Sequence, residues 1–106
     1  FIIPVAKEIS KDPDAKGIVL GGSGQGEAIC ANRFKNVRAI EYYAPSRGEV
    51  SIIKDSRSHN DSNILSLGAR FLSEDEVKSA VKDWLETPFS GDERHMRRIA
   101  KIDNHE

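Results

Sequence analysis

The sequence is poor in cysteine, in surplus charge and in long apolar runs. Its 106 residues hold one cysteine, Cys30, which excludes an internal disulfide framework and a cysteine zinc cage. The 16 Lys and Arg are matched by 17 Asp and Glu, for a net charge of -1. Binding to duplex DNA or to an anionic membrane surface draws on a surplus of basic residues that is not there, so neither nucleic acid nor membrane is expected as a partner. No apolar run approaches the ~18 residues of a membrane span, and no basic stretch leads into a short apolar core as in a secretory signal. A cytoplasmic domain is the expectation. An initiating Met is also missing. Phe1-Ile2-Ile3-Pro4 starts inside an apolar stretch, so the chain reads as cut at its N-terminus.

What is present alternates between two hydrophobic periods. Ile2, Val5, Ala6 and Ile9 have the spacing of one helical face, predicting a helix of about two turns over Val5 to Ser10 before the Lys11-Asp12-Pro13-Asp14 turn. Gly17-Ile18-Val19-Leu20 is a short apolar run of the kind that forms a buried parallel strand. A helix through Ala28, Ile29, Ala31 and Asn32 to Lys35-Asn36 is expected next, then a strand over Val37 to Tyr43 closed by Ala44-Pro45-Ser46-Arg47-Gly48. Glu49 to Ser58 should be helical, burying Val50, Ile52 and Ile53, and Asn63 to Leu67 should be a strand.

Ser73-Glu74-Asp75-Glu76 then supplies an N-cap and an acidic first turn for a helix to about Glu86, burying Val77, Ala80, Val81, Trp84 and Leu85. Pro88 and Ser90-Gly91 end it, and Asp92 to Asp103 should form a last, Arg-rich helix. Strands separated by helices imply an α/β parallel sheet in one domain spanning residues 1–106. Only three strands are evident, so the sheet reads as lacking its first one or two βα units, with Gly17 to Leu20 at its edge.

Gly21-Gly22-Ser23-Gly24-Gln25-Gly26-Glu27 joins a strand to a helix, which in an open α/β sheet is the ligand-binding carboxyl edge. The loop is not a nucleotide P-loop, because Glu27 and Ala28 stand where Lys and Ser or Thr are needed. Nor is it the dinucleotide fingerprint, whose third glycine would have to be Glu27. Two roles are open to Glu27: a first-turn acid stabilised by the helix dipole, or a general base beside an oxyanion-binding loop. His59, in Ser58-His59-Asn60-Asp61-Ser62-Asn63, has the position of a helix cap. Arg70 falls on the same carboxyl edge as the loop, and Arg94, Arg98 and Lys101 share one helical stripe that could grip a phosphate. Cys30 reads as a buried small hydrophobe.

Taken together, the glycine loop ending in Glu27, Ala31-Asn32, Ser58-His59-Asn60-Asp61-Ser62-Asn63, Leu67-Gly68-Ala69-Arg70, Trp84-Leu85, Phe89-Ser90-Gly91 and Arg94-His95 with Arg98 resemble the ribose-5-phosphate isomerase B family. That family also includes galactose-6-phosphate isomerase subunits. The resemblance runs from the first residue to about Ile102. It implies a flavodoxin-like or Rossmann-like three-layer fold with strand order 2-1-3-4-5. It also implies an aldose-ketose isomerase of the pentose phosphate pathway that works through a cis-enediolate, with neither metal nor cofactor.

One branch of that family uses a Cys at the first loop position as its base. Here that position is Gly21, and Glu27 matches the branch with a Glu at the loop's end. By the same matching His59 is similar to the acid that opens the furanose ring, and Gly22, Ser23, Gly24, Gln25 and Gly26 to the loop that holds the enediolate oxygen. Asn60, Arg70, Arg94 and Arg98 resemble sugar and phosphate contacts. Sites of the family lie at a homodimer interface, to which the last helix, about 92–103, is expected to contribute. The family's opening strand, ending in Asp-His, has no counterpart here, which implies that the 106-residue chain alone is inactive and poorly stable. The rival expectations are a galactose-6-phosphate or related hexose-phosphate isomerase subunit, and a noncatalytic sugar-phosphate-binding fragment.

Overall fold

The computed structural model describes residues 1–44 and 51–105. Its elements run α1 (Ile2–Lys11), β1 (Gly17–Gly21), α2 (Gln25–Ala31), β2 (Ala39–Tyr42), α3 (Ile52–Ser58), β3 (Ile64–Gly68), α4 (Glu74–Glu86) and α5 (Glu93–Ala100). That is the element order expected from the hydrophobic periods. All three strands are parallel, in the order β1-β3-β2.

This order corrects the sequential arrangement implied by 2-1-3-4-5, because the last strand lies between the other two. The burial pattern gives the reason. Every residue of β3 is buried, as suits a central strand covered on both faces, whereas β1 leaves Ile18 and Leu20 exposed and β2 carries Glu41.

Alternation along β3 builds the two cores. Ile64 faces α1 and α2 and packs with Ala6, Ile9, Val19, Ala31 and Val37. Leu65 and Leu67 face α3 and α4 and pack with Ile53, Ala80 and Trp84. Three layers result. In the described residues β1 is a sheet edge, as expected, and the exposed Ile18 and Leu20 pair in register with Leu65 and Leu67.

The element boundaries shift for identifiable reasons. α1 begins three residues early, because Pro4 falls in the first turn, where a missing N–H costs nothing. α2 stops at Ala31 instead of continuing to Asn36. The Asn32 side chain donates to Ala39 O at 2.9 Å and accepts from Ala39 N at 2.7 Å, while Asn36 takes a left-handed φ of 66°. Asn63 Oδ1 accepts from Arg38 N at 2.7 Å, so regular pairing of β2 begins only at Ala39.

α3 starts at Ile52, capped by Ser51, whose hydroxyl accepts from Lys54 N. The expected loop residues Pro45 to Gly48 and the helix residues Glu49 and Val50 lie outside the described residues. α4 carries the expected capping box between Ser73 and Glu76. Asp92 caps α5, which is shorter than 92–103. Ile52 and Leu85, expected inside, are about half exposed, and Cys30 is only partly covered.

Candidate active site

The first group of site residues forms at the carboxyl ends of β1 and β3. Ala69 N donates to Gly21 O at 2.8 Å and Arg70 N to Gly22 O at 3.0 Å, which extends the strand pairing into the loop and brings Arg70 beside it. A Cβ built on Gly22 would lie 3.1 Å from Arg70 Nε, and one built on Gly21 would lie 2.6 Å from the carboxyl carbon of Glu27. Glu27 therefore folds back from the first turn of α2 over the bare face of Gly21. Glu27 and Arg70, the proposed base and one proposed substrate contact, flank the start of the same loop.

Gly24 closes the turn. Its φ of 80° lies in the left-handed region, and a Cβ there would come within 3.0 Å of Ser66 Oγ and 3.1 Å of the Leu67 carbonyl carbon. Ser66, buried at the middle of β3, donates its hydroxyl to Gly24 O at 2.7 Å and so pins the loop from below. Ser23 Oγ accepts from Gln25 N at 3.2 Å, so that N–H is already engaged. Gly26 has open space around it.

A second group forms where α3 ends and β3 begins, at the amino ends of the strands. His59 and Asn60 are exposed on the turn after α3. The His59 ring lies against that of His95, with centroids 4.6 Å apart and planes tilted by 33°. Ser90 ties the two sides together, since its N–H donates to Ser58 O and its hydroxyl meets His95 Nδ1 at 3.3 Å. Burial holds the His95 pKa below the usual imidazole range, helped by the positive charges of Arg94, His59 and Arg98 and opposed by Asp92. Arg94 and Arg98 stand exposed one turn apart on α5, the helix that carries His95, and their guanidiniums are of the kind that binds a phosphate.

The two groups are not neighbours within one chain. One sits past Gly68 and the other before Ile64, with the length of β3, about 13 Å, between them. A cavity of about 250 Å³, lined by Val37, Arg38, Ile40, Ser62 and Ile102, takes in Asn60 but not Glu27.

Several residues missed in the sequence complete the second group. Arg57 is buried, and Asp61 sits at a left-handed φ of 48° between Arg57 Nη1, at 2.9 Å, and Arg38 Nη2, at 3.5 Å. The available signal was an Arg four residues before an Asp across a helix end. On the other face of the sheet Glu41 is also unforeseen. Burial raises its pKa, and its Oε1 is without a hydrogen-bond partner among the described residues. Among the described residues no three His, Cys, Asp or Glu side chains converge to hold a metal ion, and no helix is long and apolar enough to cross a membrane.

A family model described as Ribose/Galactose Isomerase matches residues 1–102. Ribose-5-phosphate isomerase B of Mycolicibacterium paratuberculosis is 35% identical over 99 residues, covering 93% of this chain and 59% of its own. A crystal structure of a ribose 5-phosphate isomerase from Thermotoga maritima matches with a TM-score of 0.87 at 36% identity, over 99% of this chain and 68% of that one. The Mycoplasma genitalium ribose-5-phosphate isomerase B with bound ribulose-5-phosphate matches with a TM-score of 0.87 at 33% identity, over 98% and 65%. The chain thus spans about three-fifths to two-thirds of the length of these proteins.

Proposed function

This chain belongs to the ribose/galactose isomerase family, and on that premise we propose that the protein interconverts ribose 5-phosphate and ribulose 5-phosphate. Glu27 takes the C2 proton of the open-chain aldose, and the electron pair left on C2 moves toward O1 to give a cis-enediolate. A proton passes from O2 to O1, and Glu27 returns the first proton to C1, leaving the ketone at C2. One carboxylate serves both carbons, which fits its place at the rim of the loop. Backbone N–H groups between Gly22 and Gly26, other than the engaged Gln25, stabilise the developing oxyanion.

Before that step His59 gives a proton to the ring oxygen while the C1 hydroxyl passes its proton to water, and the C1–O bond of the furanose opens to the aldehyde. Asn60 holds the sugar, and Arg70, Arg94 and Arg98 anchor the substrate and its phosphate, so that the reacting carbons are presented to Glu27. The observation that carries this reading is the Glu27 carboxylate lying over Gly21 with Arg70 across Gly22, a base and an anion-binding group at one carboxyl edge.

The separation of Glu27 from His59 adds a requirement for a second copy. We propose a homodimer in which Glu27 and Arg70 of one subunit meet His59, Asn60, Arg94 and Arg98 of the other, with α5 contributing to the contact. The setting is the cytoplasm, in line with the single cysteine and the balanced charge, and the reaction is that of the pentose phosphate pathway. Conversion of ribose 5-phosphate by the complete gene product, lost on Glu27→Gln, tests the proposal. Turnover of galactose 6-phosphate in its place would move the assignment to the other branch of the family.

A further inference from the structure

Arg57 stands out as a charged side chain that the chemistry above does not use. It is 4% exposed, and its Nε and Nη1 are both hydrogen-bonded. Nε donates to Thr87 O at 3.1 Å, Nη1 donates to Asp61 Oδ1 at 2.9 Å and also to Ser62 O, and the guanidinium carbon lies 6.0 Å from the Trp84 ring centroid. Burying a guanidinium is costly unless its donors are matched. Here the partners come from two separate stretches of chain.

Each stretch carries one ring of the imidazole pair. Asp61 and Ser62 end the turn that presents His59 and Asn60, and Thr87 begins the connection to Ser90, which bonds His95. Asp61 holds a left-handed backbone, a conformation that Asp tolerates better than most residues. The Arg57 fork bonds that turn from within the preceding helix, four residues away.

We infer that Arg57 is a positioning residue: its fork joins the His59–Asn60 turn to the Thr87–Ser90 connection and so sets the aim of the ring-opening imidazole, without touching substrate. The inference rests on the isomerase reading for its catalytic consequence and on geometry alone for its structural one. Lysine keeps the charge but cannot bond Thr87, Asp61 and Ser62 together. In Arg57→Lys the His59 ring should therefore lose its place against His95.

The test uses the complete gene product and the variants Arg57→Lys and Asp61→Asn, the second relaxing the same fork from its other end. By NMR, the nuclear Overhauser contact between the His59 and His95 rings should disappear in both variants while the amide signals of β1 and β3 stay in place. Kinetically, ribose 5-phosphate isomerisation should fall about 100-fold, the scale of a misplacement near 1 Å. Solvent-deuterium exchange at C1 of ribulose 5-phosphate should fall much less than isomerisation, because it needs Glu27 and the sugar contacts but no ring opening. Retention of the ring contact in Arg57→Lys, or equal loss of isomerisation and exchange, would overturn the inference. If the wild-type protein shows neither isomerisation nor exchange, the isomerase reading falls, and the NMR contact still decides the positioning role. Should Arg57→Lys fail to fold, Asp61→Asn decides by the same readouts.

Discussion

Gly21 and Glu27, at the two ends of the glycine loop, share one volume: a Cβ on the first would fall 2.6 Å from the carboxyl carbon of the second. The loop is thus wrapped so that an acid six residues on covers the end of the strand. Two substitutions probe the arrangement. Glu27→Gln should lower isomerisation by about 10²- to 10⁴-fold, the usual worth of a positioned base, with sugar-phosphate binding kept. Gly21→Ala should also cost activity although Glu27 is intact, since the added methyl displaces the carboxylate. Steady-state kinetics and calorimetric binding check both, and a fully active Gly21→Ala enzyme would refute the placement.

The distance between Glu27 and His59 in one chain predicts subunit complementation. In a mixed dimer of Glu27→Gln and His59→Ala chains, one site carries both defects and the other carries neither. Co-refolding the two inactive variants in equal amounts should restore about a quarter of wild-type activity, from half the dimers having one good site of two. No recovery from dimers shown to have mixed would place both residues in the same subunit's site.

The loop glycines are not equivalent. Gly24 has a positive φ and is pressed against Ser66 and Leu67, so Gly24→Ala should destabilise by about 1–3 kcal/mol. Gly26 lies inside α2 with open space around it, so Gly26→Ala should be neutral or stabilising by up to ~1 kcal/mol. Urea denaturation of the two variants beside wild type separates them.

His95 gives the fold a pH dependence. Its folded pKa is held below the ordinary imidazole value of 6.5, first by burial and then by Arg94, His59 and Arg98, so below pH 6.5 the unfolded chain binds more protons than the folded one. The His95 contribution is therefore present above pH 6.5 and is lost as pH falls through the lowered folded value. Glu41 has the opposite sign, because its raised pKa favours the folded state below 4.5 and ceases to as pH rises through the folded value. Denaturation midpoints of wild type and His95→Gln between pH 8 and pH 5, taken as a difference, isolate the imidazole. Parallel curves would contradict the assignment.

Periodicity exposed the element order, and the Ser73–Glu76 box fixed the start of α4 to the residue, because these signals are local. The resemblance named Glu27, His59 and the arginines as candidates. What stayed hidden depends on distant partners. Asn32 ends α2 by bonding Ala39 seven residues later, a polar competition that hydrophobic periodicity does not register. The insertion of β3 between β1 and β2 is a pairing choice among three apolar runs of similar length. Nothing local in the sequence marks Arg57 as buried. Its burial follows from a Thr87 carbonyl 30 residues away and from the indole beneath it.

Trp84 is the chain's one tryptophan, fully buried, and its Nε1 donates to Ser62 Oγ at 2.8 Å. Ser62 is in turn bonded to Ser56, and its carbonyl is held by Arg57. Intrinsic fluorescence is thereby wired to the turn that carries His59 and Asn60. A shift in emission on adding a sugar phosphate would report movement of that turn without any attached dye, and the molecule comes with its own optical gauge of the group farthest from Glu27.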